Sequence, residues 1–144
     1  MPLVCEDTLV LQEENKAIVR RLLEGFFNTG DPDAADEVLA PEYIDHSPST
    51  TETRGVDNIK RSVGEWRTAF PDTIQTVEDM VAEGDKVAAR WITRATHQGE
   101  FMGIPATGNR IEVAGFGIFR IADGKIVESW DTFDAATMMQ QLSA

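Results

Sequence analysis

The sequence predicts an α+β fold: a cone-shaped, curved antiparallel sheet wrapped over N-terminal helices, with an internal cavity. Three observations carry that expectation. In three segments between Glu13 and Phe70 the apolar residues recur at helical spacing, and from Ile74 to Asp131 they alternate with the period of two that a strand imposes. The chain closes with two apolar-rich strands around Asp123-Gly124, a strong hairpin signal because glycine accepts the positive φ of a tight turn. Helices first and strands afterwards is an α+β layout, and a sheet bent over a few helices leaves a conical hollow suited to a small ligand.

Residues 1–12 read as a flexible leader and 13–144 as a single domain. Ile18, Leu22, Leu23, Phe26 and Phe27 form the apolar stripe of a first helix, which Gly30 and Pro32 end. Asp31-Pro32 opens a short second helix with Ala35, Val38 and Leu39 on its buried side, closed by Ala40-Pro41. Tyr43 to Ser47 reads as a short strand and Pro48 to Arg54 as a polar loop. A third helix spans Val56 to Phe70, with Ile59, Val63 and Trp66 inward and Pro71 as its stop. Strands are expected at Ile74–Glu83, Lys86–His97, Asn109–Ile121 and Lys125–Asp131, followed by an amphipathic helix from Ala135 to Leu142.

Composition narrows the function. A length of 144 residues supports one proper core, and 42% hydrophobic with 26% charged residues is ordinary for a soluble protein. No apolar run approaches a membrane span and no secretory signal opens the chain, so a cytoplasmic protein is expected. A net charge of -12 repels phosphate backbones and anionic lipid, which argues against nucleic-acid and membrane partners. Cys5 stands alone, and His46 and His97 lie far apart, so neither a disulfide nor a compact metal site is expected. Phosphate-loop, dinucleotide, zinc-protease and nucleophile-elbow motifs are absent from the sequence. Chemistry falls to carboxylates, two imidazoles and cavity shape.

Several segments together carry a resemblance: Asn28-Thr29-Gly30-Asp31, Ala40-Pro41-Glu42-Tyr43-Ile44-Asp45-His46, Ala69-Phe70-Pro71-Asp72, Gly99 to Gly108, and the hairpin ending Glu128-Ser129-Trp130-Asp131. They resemble the SnoaL-like polyketide cyclase (ester cyclase) family, within the superfamily of nuclear transport factor 2 and ketosteroid isomerase, from about Glu14 to Leu142. The resemblance implies a cone-shaped α+β barrel, often dimeric, and a ring closure by intramolecular aldol condensation without metal or cofactor. It also implies that Asp131 matches the aspartate such cyclases use as general acid/base. Relatives on the fold also hydroxylate polyketides, hydrolyse epoxides or only bind ligands.

Alternation puts Val127, Ser129 and Asp131 on one face of the last strand and Ile126, Glu128 and Trp130 on the other. If the first face lines the cavity, desolvation raises the Asp131 pKa towards that of a working base; the bland alternative is a helix cap, the role expected of Asp134. His46, sharing a face with Ile44, is expected to point inward as a second proton carrier, with Tyr43 and Asp45 on the opposite, structural side. His97 at the rim either meets ligand or bonds a loop carbonyl. Phe27, Trp66, Trp91, Phe119 and Ser129 are expected around the substrate, with Phe101 and Met102 in a loop at the mouth. Gly117, where founding cyclases carry a histidine and ketosteroid isomerases an acid, either enlarges the cavity or marks a bend. Exposed Trp130 points to a homodimer. The expected function is cofactor-independent acid/base chemistry on a hydrophobic polyketide-like carbonyl or ester, by aldol cyclisation or a related isomerisation. A non-catalytic binder of an apolar metabolite, a hydroxylation-associated protein and an epoxide hydrolase are the alternatives.

Overall fold

A computed structural model of the chain describes residues 6–47 and 53–144; Cys5 and residues 48–52 of the expected polar loop lie outside it. Helix α1 (Glu6–Arg20) runs directly into a π-helical stretch (Arg21–Phe26) and a last turn, α2 (Phe27–Thr29). The expected leader is therefore helical from Glu6. Glu6 and Asp7 suit the positive end of the helix, while Leu9, Val10 and Leu11 stay exposed, so no buried periodicity marks the stretch. Gly30 takes φ 70° at the exit. Asp31 then caps α3 (Pro32–Val38) by accepting the Asp33 N–H at 3.0 Å.

Strand β1 (Leu39–Asp45) begins at once, earlier than expected, and stops before His46 and Ser47. Two residues of β2 (Thr53–Arg54) pair with its end. There follow α4 (Val56–Ala69), β3 (Ile74–Glu83), β4 (Lys86–Thr96), β5 (Arg110–Ala122), β6 (Lys125–Phe133) and α5 (Ala135–Ser143), each close to its expected span. One sheet runs β2-β1-β6-β5-β4-β3. It is antiparallel except at the β1–β6 seam, where the strands run parallel because the β3-to-β6 meander brings the chain back beside β1 in the same direction. The expectation of a wholly antiparallel sheet fails there; the fold class stands.

Alternation along β5 is regular, with Ile111, Val113, Gly115, Gly117, Phe119 and Ile121 buried. Strand β6 is not. Ile121 pairs with Ile126 but Arg120 pairs with Glu128, so Val127 is an extra residue absorbed in a bulge. The bulge corrects one expected orientation, since Ile126 is fully buried in the core. Beyond it, Ser129 faces inward and Trp130 outward. Ile18, Val19, Leu22, Leu23 and Phe26 pack against Val87, Ala89, Trp91 and Phe119 in the main core. Each such side chain contributes about 1.5–3 kcal/mol by leaving water. A second cluster joins Phe70, Ile111, Val113, Met138 and Leu142 under α5. No helix among the described residues is long and apolar enough to cross a membrane.

Gly115 pairs with Trp91 on β4, and the indole lies across it: a Cβ there would stand 2.3 Å from Trp91 Nε1. The indole thus fills the space a side chain at position 115 would need. Replacing Gly115 by Ala should lower stability by about 1–3 kcal/mol through overpacking. Gly64, inside α4 with nothing near its missing Cβ, should instead gain roughly 0.5–1 kcal/mol on Gly64→Ala. Urea unfolding of the two variants checks both signs.

Candidate active site

Between the concave face of the sheet and the helices lies a cavity of about 210 Å3. Leu22, Leu23 and Phe27 wall it from the N-terminal helix and Ile59, Val63 and Trp66 from α4. The strands contribute Tyr43, Asp45, Gln75, Trp91, Thr93, Phe119 and Asp131. Of the expected contacts, Phe27, Trp66, Trp91 and Phe119 therefore line one chamber with Asp131.

Asp131 reaches it because the bulge returns the inward parity of β6, where it stands directly opposite Gly117. A Cβ at Gly117 would come within 2.9 Å of the Asp131 Cβ and 3.1 Å of the Phe119 ring, so this glycine makes room for the carboxylate and the ring, not for a ligand. Ser129 is completely buried and donates to Asp131 Oδ1 at 3.2 Å. The Tyr43 hydroxyl in turn lies 2.5 Å from Ser129 Oγ, completing a chain Tyr43–Ser129–Asp131 in which each hydroxyl donates to the next group. Burial pushes the Asp131 carboxyl up to about 6, the negative charge of Asp45 adds to the rise, and the Ser129 hydrogen bond opposes it. Helix capping is left to Asp134, which accepts the Thr137 N–H at 3.0 Å and is held below the usual carboxylate range by those Thr137 bonds.

Asp45 and Tyr43 belong to the site, contrary to the expected facing of β1. In the parallel seam Asp45 pairs with Ser129 and Ile44 with Glu128, so Asp45 shares the inner face and Ile44 the outer. Irregular pairing between Leu39 and Ile44 undoes any simple count from the start of the strand. Burial raises the Asp45 pKa, with the Ser47 N–H, 2.8 Å from Oδ1, and nearby His46 acting against it. Burial also drives the Tyr43 phenol far above its ordinary value.

His46 goes the other way. Its Nε2 lies 2.8 Å from Glu128 Oε2 and its ring stacks on Trp130 at 5.0 Å, both on the outer face of β6. Arg120, 2.6 Å from the other Glu128 oxygen, completes this cluster and holds Glu128 below its usual pKa. The imidazole expected beside Asp131 is thus across the sheet from the cavity. His97 is not at a rim either. It is fully buried against Phe70, its Nδ1 accepting the Thr107 N–H at 3.2 Å and so ordering the 98–108 loop. Phe101 packs edge-on against Trp66 and Phe70, backing the cavity wall without lining it, and Met102 is 75% exposed. Among the described residues no three His, Cys, Asp or Glu side chains converge as metal ligands.

The outer face carries a second, shallower groove of about 560 Å3, bordered by His46, Val81, Phe116, Ile118 and Trp130. Val81, Phe116, Ile118 and Trp130 expose 39–69% of their surface there.

Comparison with known proteins accords with this geometry. A family model described as SnoaL-like polyketide cyclase matches residues 17–142. The aklanonic acid methyl ester cyclase DauD of Streptomyces sp. (strain C5) is 32% identical over 131 residues, covering 87% of this chain and 79% of the relative. The nogalonic acid methyl ester cyclase of Streptomyces nogalater is 32% identical over 120 residues, covering 81% and 88%. The structure of TsrD from Streptomyces laurentii superposes with a TM-score of 0.83 at 32% identity, over 92% of this chain and 97% of that one. With the family match spanning nearly the whole domain, the chain belongs to the SnoaL-like polyketide cyclases.

Proposed function

We propose that this protein is a cofactor-independent cyclase of a hydrophobic polyketide-like ester, with Asp131 as its general acid/base. The observation that carries the reading is a carboxyl group kept poorly hydrated in an apolar chamber where, among the described residues, the lining titratable groups are Tyr43, Asp45 and Asp131. Ionised Asp131 removes the proton from a carbon between carbonyl groups. The resulting enolate carbon attacks a second carbonyl of the same molecule, forming the new C–C bond, and Asp131 returns the proton to the alkoxide. His46, on the outer face, takes no part, and the Tyr43–Ser129 pair steadies Asp131 while it is charged. Trp66, Phe27 and Phe119 hold the substrate folded, a proximity effect able to lower the barrier by several kcal/mol. The chamber is smaller than the roughly 300–1,000 Å3 of drug-sized sites, so the reacting end enters and further rings extend past exposed Ser62.

We also assign the outer groove to a second copy of this chain. Its apolar strip lies among ion pairs of both signs, Arg90–Asp79, Arg94–Glu112 and Arg120–Glu128. A surface with both charges can face itself across a two-fold axis, where a one-sign surface would repel itself.

Four outcomes test these readings. Aklanonic and nogalonic acid methyl esters are the first substrates to try, with Asp131→Asn expected to lose about 10²–10⁴-fold in kcat while remaining folded; full activity in that variant removes the mechanism. For the wild type, kcat/KM should fall as pH drops through about 6, because a protonated Asp131 cannot accept a proton. Asp45→Asn removes the neighbouring charge and should move that acid limb to lower pH. In solution the chain should sediment as a dimer that Phe116→Lys dissociates; a wild-type monomer at high micromolar concentration rules the interface out.

A further inference from the structure

We propose that the Trp91 indole N–H is the hydrogen-bond donor to the oxygen that becomes negative during the reaction. The inference rests on the reading of Asp131 as the base and adds a catalytic residue to it. Proton removal from carbon leaves charge on a carbonyl oxygen, and such a charge in a closed site needs a donor already aimed at it. Among the described residues no Lys, Arg or His lines this cavity to provide one.

The buried donors around the chamber are almost all committed to the protein itself. The Tyr43 hydroxyl is spent on Ser129. Gln75 Nε2 donates to Leu23 O at 2.9 Å, Thr93 Oγ1 to Gln75 Oε1 at 3.0 Å, and Trp66 Nε1 to Thr73 Oγ1 at 2.9 Å. Trp91 differs. It is only 6% exposed and lines the cavity, yet its Nε1 has no acceptor among the described residues. The atom is not sealed inside the protein, since the buried side-chain nitrogen without a partner among the described residues is His97 Nε2, so an acceptor that enters the cavity can meet the Trp91 N–H.

Register places this donor where the reaction needs it. Trp91 on β4 pairs with Gly115, and Asp131 on β6 pairs with Gly117, so the two side chains approach a bare stretch of β5 from opposite sides. Strands β4 and β6 stand about 10 Å apart across β5, and both side chains line the same cavity. Gly115 is what permits this, since its missing side chain leaves the Nε1 edge of the ring free to lie there.

The test replaces Trp91 with 3-benzothienylalanine, which keeps the ring shape and puts sulfur where the N–H stood. With aklanonic or nogalonic acid methyl ester, kcat should fall about 10²-fold with KM little changed, and melting temperature should hold. A kcat within about threefold of wild type overturns the proposal. Asp131→Asn in parallel separates the two readings: if that variant alone stays active, the base assignment fails and the donor assignment does not. A measurement independent of turnover uses 2-naphthol, an enol-like probe, with the wild-type protein. The Trp91 indole proton, assigned with Trp91→Phe, should shift strongly downfield in the NMR spectrum at saturation. An unmoved resonance likewise overturns it.

Discussion

Pairing Asp45 with Ser129 across the parallel β1–β6 seam is the constraint on which the site depends. It brings a second carboxylate and the Tyr43 hydroxyl to the strand that already carries Asp131, joining parts of the chain more than eighty positions apart. Burying carboxyl groups near one another is unfavourable, because each disfavours the charge of the other and the apolar walls disfavour both. The fold limits that penalty with the Ser129 hydroxyl at one group and the Ser47 amide at the other. The remaining penalty pushes the Asp131 carboxyl up to about 6.

Strand β6 separates two tasks by face. Inward, Ser129 and Asp131 serve the chamber; outward, Glu128 and Trp130 gather His46 and Arg120 into a surface cluster. Both sides are anchored by β5, whose regular alternation sends Gly117 and Phe119 inward and Phe116 and Ile118 outward. The ionic cluster and the buried Ser129–Asp131 pair are thus both carried by β6. Precision at the carboxylate follows from that support.

Much of this arrangement was legible from residue order. The period change after Pro71 located the four long strands nearly to the residue, and alternation placed Ser129 and Asp131 together on one face. What escaped was non-local. Ile44 is the more apolar neighbour of Asp45, so hydropathy assigned it the core, whereas pairing with Glu128 turns it outward and takes His46 with the surface. The burial of Ile126 depends on a bulge that only the partner strand reveals. His97 looked like a rim residue because the 98–108 loop folds back over it by contacts with Thr107, Phe70 and Ala69 that spacing does not encode. A free indole donor is invisible too, since a sequence does not say which polar atoms remain unpaired.

The bulge at Val127 has a further meaning. Closed without it, the same hairpin would slide by one position, seating Trp130 opposite Gly117 and casting Asp131 out to water. Such a competitor would gain a buried aromatic ring, so apolar attraction alone does not forbid it. Glu128 does: the slipped strand would drive its charge into the interior, away from Arg120 and His46. A surface ion-pairing residue thereby acts as a gatekeeper against a misregistered strand, and keeps Asp131 in the chamber from the far side of the sheet.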